Sequence, residues 1–214
     1  MKRIMILGLA LLALGCSSDE PGSDPVTPEP VALEFPATPD KLMANYVAVY
    51  DDMATANYAD LIHPDFIMVL QQETIDRFPG VGENLDSATE LSIAANMFAG
   101  LEGVDQAGQA VPPIRDIDIL HMELMSNWAV VEPGGPVPGD WMAAYEIQFG
   151  FQRDEQHHMS MAEGQVQFYV AAVDSVHEGE QKPYFRFTGM VDLTRGGHKA
   201  VDSESFGTIK VMYR

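Results

Sequence analysis

Cysteine is nearly absent: Cys16 is the only one in 214 residues. No disulfide can form within the chain, and the cysteine-based zinc patterns are unavailable. Basic residues are scarce too. Twelve Lys and Arg stand against 32 Asp and Glu, a formal charge of −20 at pH 7. So acidic a chain excludes nucleic acid as a partner, because that binding needs clustered Lys and Arg. It equally disfavours docking on anionic lipid headgroups. The acids are scattered rather than blocked, which reads as a solubility feature. Long apolar runs are missing. Ile4 to Leu14, broken only by Gly8, is roughly half the ~20 residues a spanning helix needs. The chain has no G-x-S-x-G elbow, no G-x-x-x-x-G-K-[ST] phosphate loop and no H-E-x-x-H or H-x-H spacing. Its one histidine pair, His157-His158, follows a polar turn, Arg153 to Gln156; His63, His121, His177 and His198 are dispersed. These absences lead us to expect no metal and no cofactor.

What is present begins at the N-terminus. Lys2 and Arg3, the apolar run to Leu14 and the small Gly15 form a secretory leader. The residues Ala13-Leu14-Gly15-Cys16 resemble a bacterial lipobox, although the usual pattern has Leu where Ala13 stands. That resemblance implies a signal peptide over 1–15 and lipid on Cys16. The alternative is an ordinary secreted protein cut nearby. Ser17 after the cysteine, rather than Asp, points to the outer membrane of a Gram-negative bacterium, with the domain in the periplasm or at the cell surface. One acyl chain anchors marginally and two or more anchor stably, at about 0.8 kcal/mol per buried methylene. Residues 16–37, rich in Pro, Ser, Asp and Glu, read as a tether that cannot bury enough surface to order itself.

From 38 to 214 the length suits a single domain. Thr38 as N-cap, Pro39 and Asp40 open a helix whose apolar stripe holds Leu42, Tyr46, Val49 and Met53. A short helix around Tyr58 to Ile62 is stopped at His63-Pro64, and Phe66 to Leu70 reads as a buried strand. Ser87 and Glu90 have capping-box spacing ahead of a third helix, which Gly100 can end. The stretches 72–85, 103–113 and 130–140 read as loops. Five strand patterns follow: Ile117–Met125, Trp141–Phe151, Gln165–Val173, Tyr184–Leu193 and Thr208–Tyr213. Helices first and strands afterwards give an α+β class, and the polar connections predict an antiparallel meander.

This order, with the run NYADLIHPDF and the stretch KLMANYVAVYDDMATANYADLIHPDFIMVL, residues 41–70, resembles the nuclear transport factor two-like family, which includes SnoaL-like cyclases and ketosteroid isomerases. The ending SFGTIKVMYR resembles the last strand of lipoproteins with that domain. The resemblance covers essentially all of 38–214. It implies a cone-shaped, curved antiparallel sheet packed against about three N-terminal helices, with a pocket at the open end and frequent dimerisation through the sheet.

The same fold hosts catalysts and binding modules, so function has to come from residues. A carboxylate base in the cone needs burial to bring its pKa towards neutrality. Tyr46, Tyr50, Met68, His121 and Arg186 are the candidate pocket residues, and Asp65, Asp118 and Glu146 are carboxylates in or beside strands. Each has an ordinary packing or solvation role open to it, and no catalytic residue is assigned. The thirteen methionines suit core filling or an adaptable apolar pocket. The resulting expectation is a lipid-anchored, extracytoplasmic, non-catalytic domain that binds a small apolar ligand in the cone or an envelope protein through the sheet. A homodimer is a further expectation. The alternative is a small isomerase- or cyclase-like enzyme using a carboxylate in the same pocket.

Overall fold

The computed structural model describes residues 32–153, 159–193 and 203–214. Cys16, the expected leader, most of the expected tether, the polar turn expected after Arg153, His157, His158 and His198 lie outside them.

The chain opens with α1 (Pro39–Asp51), where the Thr38 hydroxyl accepts from the Lys41 amide at 3.3 Å. Leu42, Tyr46, Val49 and Tyr50 recur at helical spacing and are fully buried. After α2 (Thr55–Leu61) the backbone passes at once into β1 (Ile62–Val69), so His63-Pro64 sits inside a strand start. The stretch 72–85, expected to be a loop, carries α3 (Gln72–Arg77) and β2 (Asn84–Asp86). Next comes α4 (Ser87–Phe98). β3 (Gly103–Val104) and β4 (Ala110–Val111) form a small separate sheet within the expected 103–113 loop. There follow β5 (Asp116–Leu124), β6 (Ala129–Val130), β7 (Trp141–Gln152), β8 (Met159–His177), β9 (Glu180–Asp192), β10 (Ser203–Glu204) and α5 (Phe206–Met212).

The main sheet has the order β2-β1-β9-β8-β7-β5, with β6 on β7 and β10 on β8. It is an open, curved sheet with helices, an α+β arrangement. Register shifts within the β1–β9, β5–β7 and β8–β9 pairings supply bends, since an extra residue on one strand kinks it and increases its twist. The long antiparallel run β5–β7–β8–β9 is the predicted meander. β1, however, joins β9 in parallel, and β10 joins β8 in parallel.

Two further expectations are overturned. Thr208–Tyr213 is not a strand: Thr208 to Met212 lie in α5 and Tyr213 is its C-cap. The alternation of Ile209, Val211 and Tyr213 suggested a strand, but Phe206 to Val211 are all buried, so alternation there marks no solvent face. The helix signal was Ser205, whose hydroxyl accepts from the Thr208 amide at 3.1 Å. The cap of α4 is not the Ser87–Glu90 box either. Asp86 accepts from the Thr89 amide at 2.8 Å, and the Ser87 hydroxyl donates to the Pro64 carbonyl. Glu90 points instead into the core.

Residues just before α1 also pack on the fold. The Phe35 ring stacks on His177 at 4.1 Å, Pro36 accepts from the Phe185 amide, and Glu34 exchanges hydrogen bonds with Asn45.

Candidate functional site

Four helices aim side chains at one point inside the curved sheet. Tyr46 and Tyr50 are one helical turn apart on α1, so both rings project from the same face. α2 brings Tyr58. On α4, Glu90 stands on the same stripe as Ile93, Ala94 and Met97, which forces a carboxylate into the interior. α5 brings Lys210, one turn beyond Phe206. Tyr46, Tyr50, Tyr58, Glu90 and Lys210 are all fully buried.

The Lys210 ammonium donates to Glu90 Oε1, and the Tyr58 hydroxyl donates to the same oxygen at 2.5 Å. Lys210 Nζ also lies 3.4 Å from the Tyr58 hydroxyl. Around it, the rings of Phe206, Tyr58 and Tyr50 have centroids 5.0, 5.5 and 5.8 Å from Nζ, within cation–π range. Tyr50 in turn packs against Phe98 at 5.2 Å and Phe149 at 5.6 Å, and Tyr46 against Phe187 and Phe168. The result is an ion pair inside an aromatic shell.

Polar accounting in this shell is incomplete. The second carboxylate oxygen of Glu90 has no hydrogen-bond partner among the described residues, and the hydroxyls of Tyr46 and Tyr50 have none beyond the neighbouring tyrosine hydroxyls. Burial, first of all, pushes the Tyr46, Tyr50 and Tyr58 hydroxyls well above the ordinary tyrosine range, and the negative charge of Glu90 pushes each in the same direction. Burial also lowers Lys210, while the adjoining Glu90 carboxylate draws it back up.

The sequence-derived candidates divide. Tyr46 and Tyr50 belong to this interior, and Met68 is buried beneath α5, close to Gly207. His121 and Arg186 do not belong to it. A register shift after Ile119 turns His121 outward, where it is exposed and faces Glu123 at 3.4 Å. Arg186 lies between Phe185 and Phe187, which face the core, so alternation sends it to the other side of the sheet. There its guanidinium covers the Tyr184 ring, and it does not pair with Asp192, which accepts from Gln71 and the Gly207 amide. Asp65, Asp118 and Glu146 are exposed. Glu90 and Lys210 are the residues missed. Glu90 had a signal, as a lone charge on the helical stripe of Ile93, Ala94 and Met97; Lys210 had none, because its segment read as a strand.

Elsewhere, a surface cavity of about 320 Å³ beside α3 is lined by Arg77, Phe78, Val104, Met212 and Arg214. Its Arg77 is already held by both oxygens of Glu204. Among the described residues no cluster of three or more His, Cys, Asp or Glu is placed to hold a metal, and no helix is long and apolar enough to cross a membrane.

No protein-family model matches the chain, and no curated protein matches it. Among solved structures it is similar to a nuclear transport factor 2-like superfamily protein from Salmonella enterica serovar Typhimurium, at 11% identity over 77% of this chain and 93% of that one, with a TM-score of 0.43. It is similar to a conserved protein from Planctomyces limnophilus, at 6% identity over 72% and 90% of the two chains, with a TM-score of 0.45. A third likeness is to AusH from Aspergillus nidulans, at 7% identity over 83% and 99%, with a TM-score of 0.35. No residue's role is carried across from them.

Proposed function

We propose that this chain is a lipid-anchored, extracytoplasmic binding domain that holds a small, largely apolar ligand inside the cone and does not catalyse. The observation that carries the reading is the set of polar atoms on Tyr46, Tyr50 and Glu90, gathered in one aromatic interior with no partner beyond the neighbouring tyrosine hydroxyls. Buried polar groups in folded proteins are nearly all hydrogen-bonded, and leaving one unpaired costs about 1–3 kcal/mol. Such a group fits a site whose remaining partners come with a ligand. Against catalysis, Glu90 is already neutralised by Lys210, whereas a general base needs a carboxylate free to take a proton. Against docking through the sheet, the outer positions carry Glu146, Gln148, Gln165 and Gln167, and Gln148 and Gln167 bond to their neighbours Glu163 and Met142. Those positions offer little apolar surface to bury; the exposed apolar residues of the sheet, Leu120, Leu124, Val130, Val173 and Val176, lie on β5, β6 and the far end of β8.

Native mass spectrometry of the chain purified from its own envelope tests this. A non-protein mass that leaves on denaturation, and that is reduced in Tyr50→Phe, is the expected result. A clean apo mass from gently extracted material overturns it. The enzyme alternative has one observation in its favour, the phenol of Tyr58 bonded to a buried carboxylate. It predicts isomerised or cyclised product rather than retained ligand.

A further inference from the structure

We infer that the edge of β5 docks an extended, basic segment of another protein, which adds to the sheet as a further strand. Its basic side chains lie beside Glu123 and its apolar ones beside Leu124. The inference goes beyond ligand binding in the cone and does not rest on it, because it uses the rim of the sheet.

β5 ends the strand order on its side of the sheet. The Met125 amide donates to the Ala144 carbonyl at 2.8 Å, so Glu123 and Met125 direct their backbone groups at β7. The intervening Met122 and Leu124 direct theirs outward. Neither of these two amides has a partner among the described residues, and an amide without one lies open to solvent. Natural sheet edges are guarded by lysine, proline, bulges or a covering element. On β5 the register shift after Ile119, with the Asp51 carboxyl at the Ile119 amide, guards the first half. The second half has neither Lys nor Pro. Leu120, Leu124, Met125 and, on β6, Val130 are 41 to 70% exposed along this rim.

The side chains along the edge select the kind of strand. Glu123 stands directly opposite Glu146, and like charges so placed destabilise a sheet. Glu123 has His121 at 3.4 Å, which is neutral unless protonated. An antiparallel addition puts Glu123 in a non-hydrogen-bonded pair, where side chains come closest, so a Lys or Arg there meets the carboxylate. Leu124 points to the opposite face and pairs with Tyr145 at the rim of the core, so an apolar residue beside it continues that row. At the other end of β5, burial and the charges of Asp52, Asp118 and Asp116 raise the Asp51 carboxyl. A second copy is a poor occupant. Each chain carries −20, and pairing two β5 edges sets Glu123 and these aspartates against their own kind. Strand addition by a segment of alternating basic and apolar residues satisfies the open amides, the carboxylates and the exposed leucines together.

The probe is a fluorescein-labelled heptapeptide of alternating lysine and valine, titrated with the full-length chain and followed by anisotropy. Saturable binding is expected. A peptide of equal charge with proline for its central valine is expected to bind about tenfold more weakly, because proline cannot complete the ladder. A glutamate–valine peptide is expected not to bind. Glu123→Lys is expected to weaken the lysine–valine peptide several-fold. Asp65→Lys, the same change of charge on exposed β1, four strands away, is expected to leave it unchanged. No saturable binding of the lysine–valine peptide overturns the inference. Equal binding of the proline peptide overturns strand addition, and equal loss in Asp65→Lys overturns the assignment to this edge. Native mass spectrometry covers the remaining occupant: a wild-type dimer that becomes monomeric in Leu124→Arg gives the edge to a second copy and overturns the basic partner.

Discussion

At the scale of residues, the Lys210–Glu90 pair sets the sharpest expectations. Removing one member of a buried pair leaves an uncompensated charge, at a cost of about 3–5 kcal/mol. Glu90→Gln and Lys210→Met are each expected to lose that much in urea denaturation. Replacing both by apolar residues of similar volume, Glu90→Leu with Lys210→Met, is expected to recover most of the loss, because no ion then needs desolvating. Summed losses in the double variant would overturn this account. The tyrosines give the alkaline limit. In the folded chain the hydroxyls of Tyr46, Tyr50 and Tyr58 ionise well above their ordinary value, and burial pushes Tyr145 up to about 12. The unfolded chain therefore gives up these protons first. Their contribution is full below about pH 10, the unfolded value, and is lost as the pH climbs towards the folded values. Lys210 has the opposite sign, since its folded value is lowered and it adds stability as the pH rises towards its unfolded value. Three fully buried phenols outweigh one lysine. The urea midpoint is expected to fall above about pH 10, with most tyrosinate absorbance appearing together with unfolding.

At the scale of elements, the approach of β1 to β9 depends on Gly189. A Cβ there would stand 2.4 Å from the Ile67 carbonyl oxygen and 2.2 Å from Val137 Cγ1. The valine can turn aside, but the backbone oxygen cannot without parting the strands. Gly189→Ala is expected to cost about 1–3 kcal/mol or more and to lower the urea midpoint, whereas Gly108→Ala meets no neighbour and tests only its positive φ. Elements with their own start signals were legible in the sequence: Thr38-Pro39 for α1, and the alternation from Trp141 to Phe151 for β7. Those whose residues are buried on all sides were not. Phe206 to Val211 present no polar face, so spacing could not separate helix from strand, and Ser205 alone carried the answer. α3 was hidden because only Thr74 of its six residues is fully buried, leaving almost no apolar stripe. The interior site was half legible for a related reason. Tyr46 and Tyr50 announce themselves by spacing, but Glu90 looked like a capping residue and Lys210 like a strand charge, and only tertiary packing joins them.

For the molecule as a whole, the charge balance and the N-terminal pattern bear on the proposed lipid anchor. Without Lys2 and Arg3 the chain carries −22, and an anionic bilayer repels such a surface within a Debye length. Attachment through the folded domain is then unfavourable, and acyl chains on Cys16 would have to supply it. Lipid insertion is apolar and insensitive to salt, whereas electrostatic adsorption is weakened by it. The segment Glu34–Pro36, fixed to Asn45, His177 and Phe185, would make the β8–β9 hairpin the place where the tether meets the domain. The wild-type chain, expressed with its leader in a Gram-negative host, is therefore expected to enter the detergent phase on Triton X-114 partition and to stay with membranes through a high-salt wash. Cys16→Ser is expected to move it to the aqueous phase with its fold unchanged by circular dichroism. A wild-type chain released by salt would mean adsorption rather than insertion, and a Cys16→Ser chain still in the detergent phase would mean that something other than this cysteine holds it there.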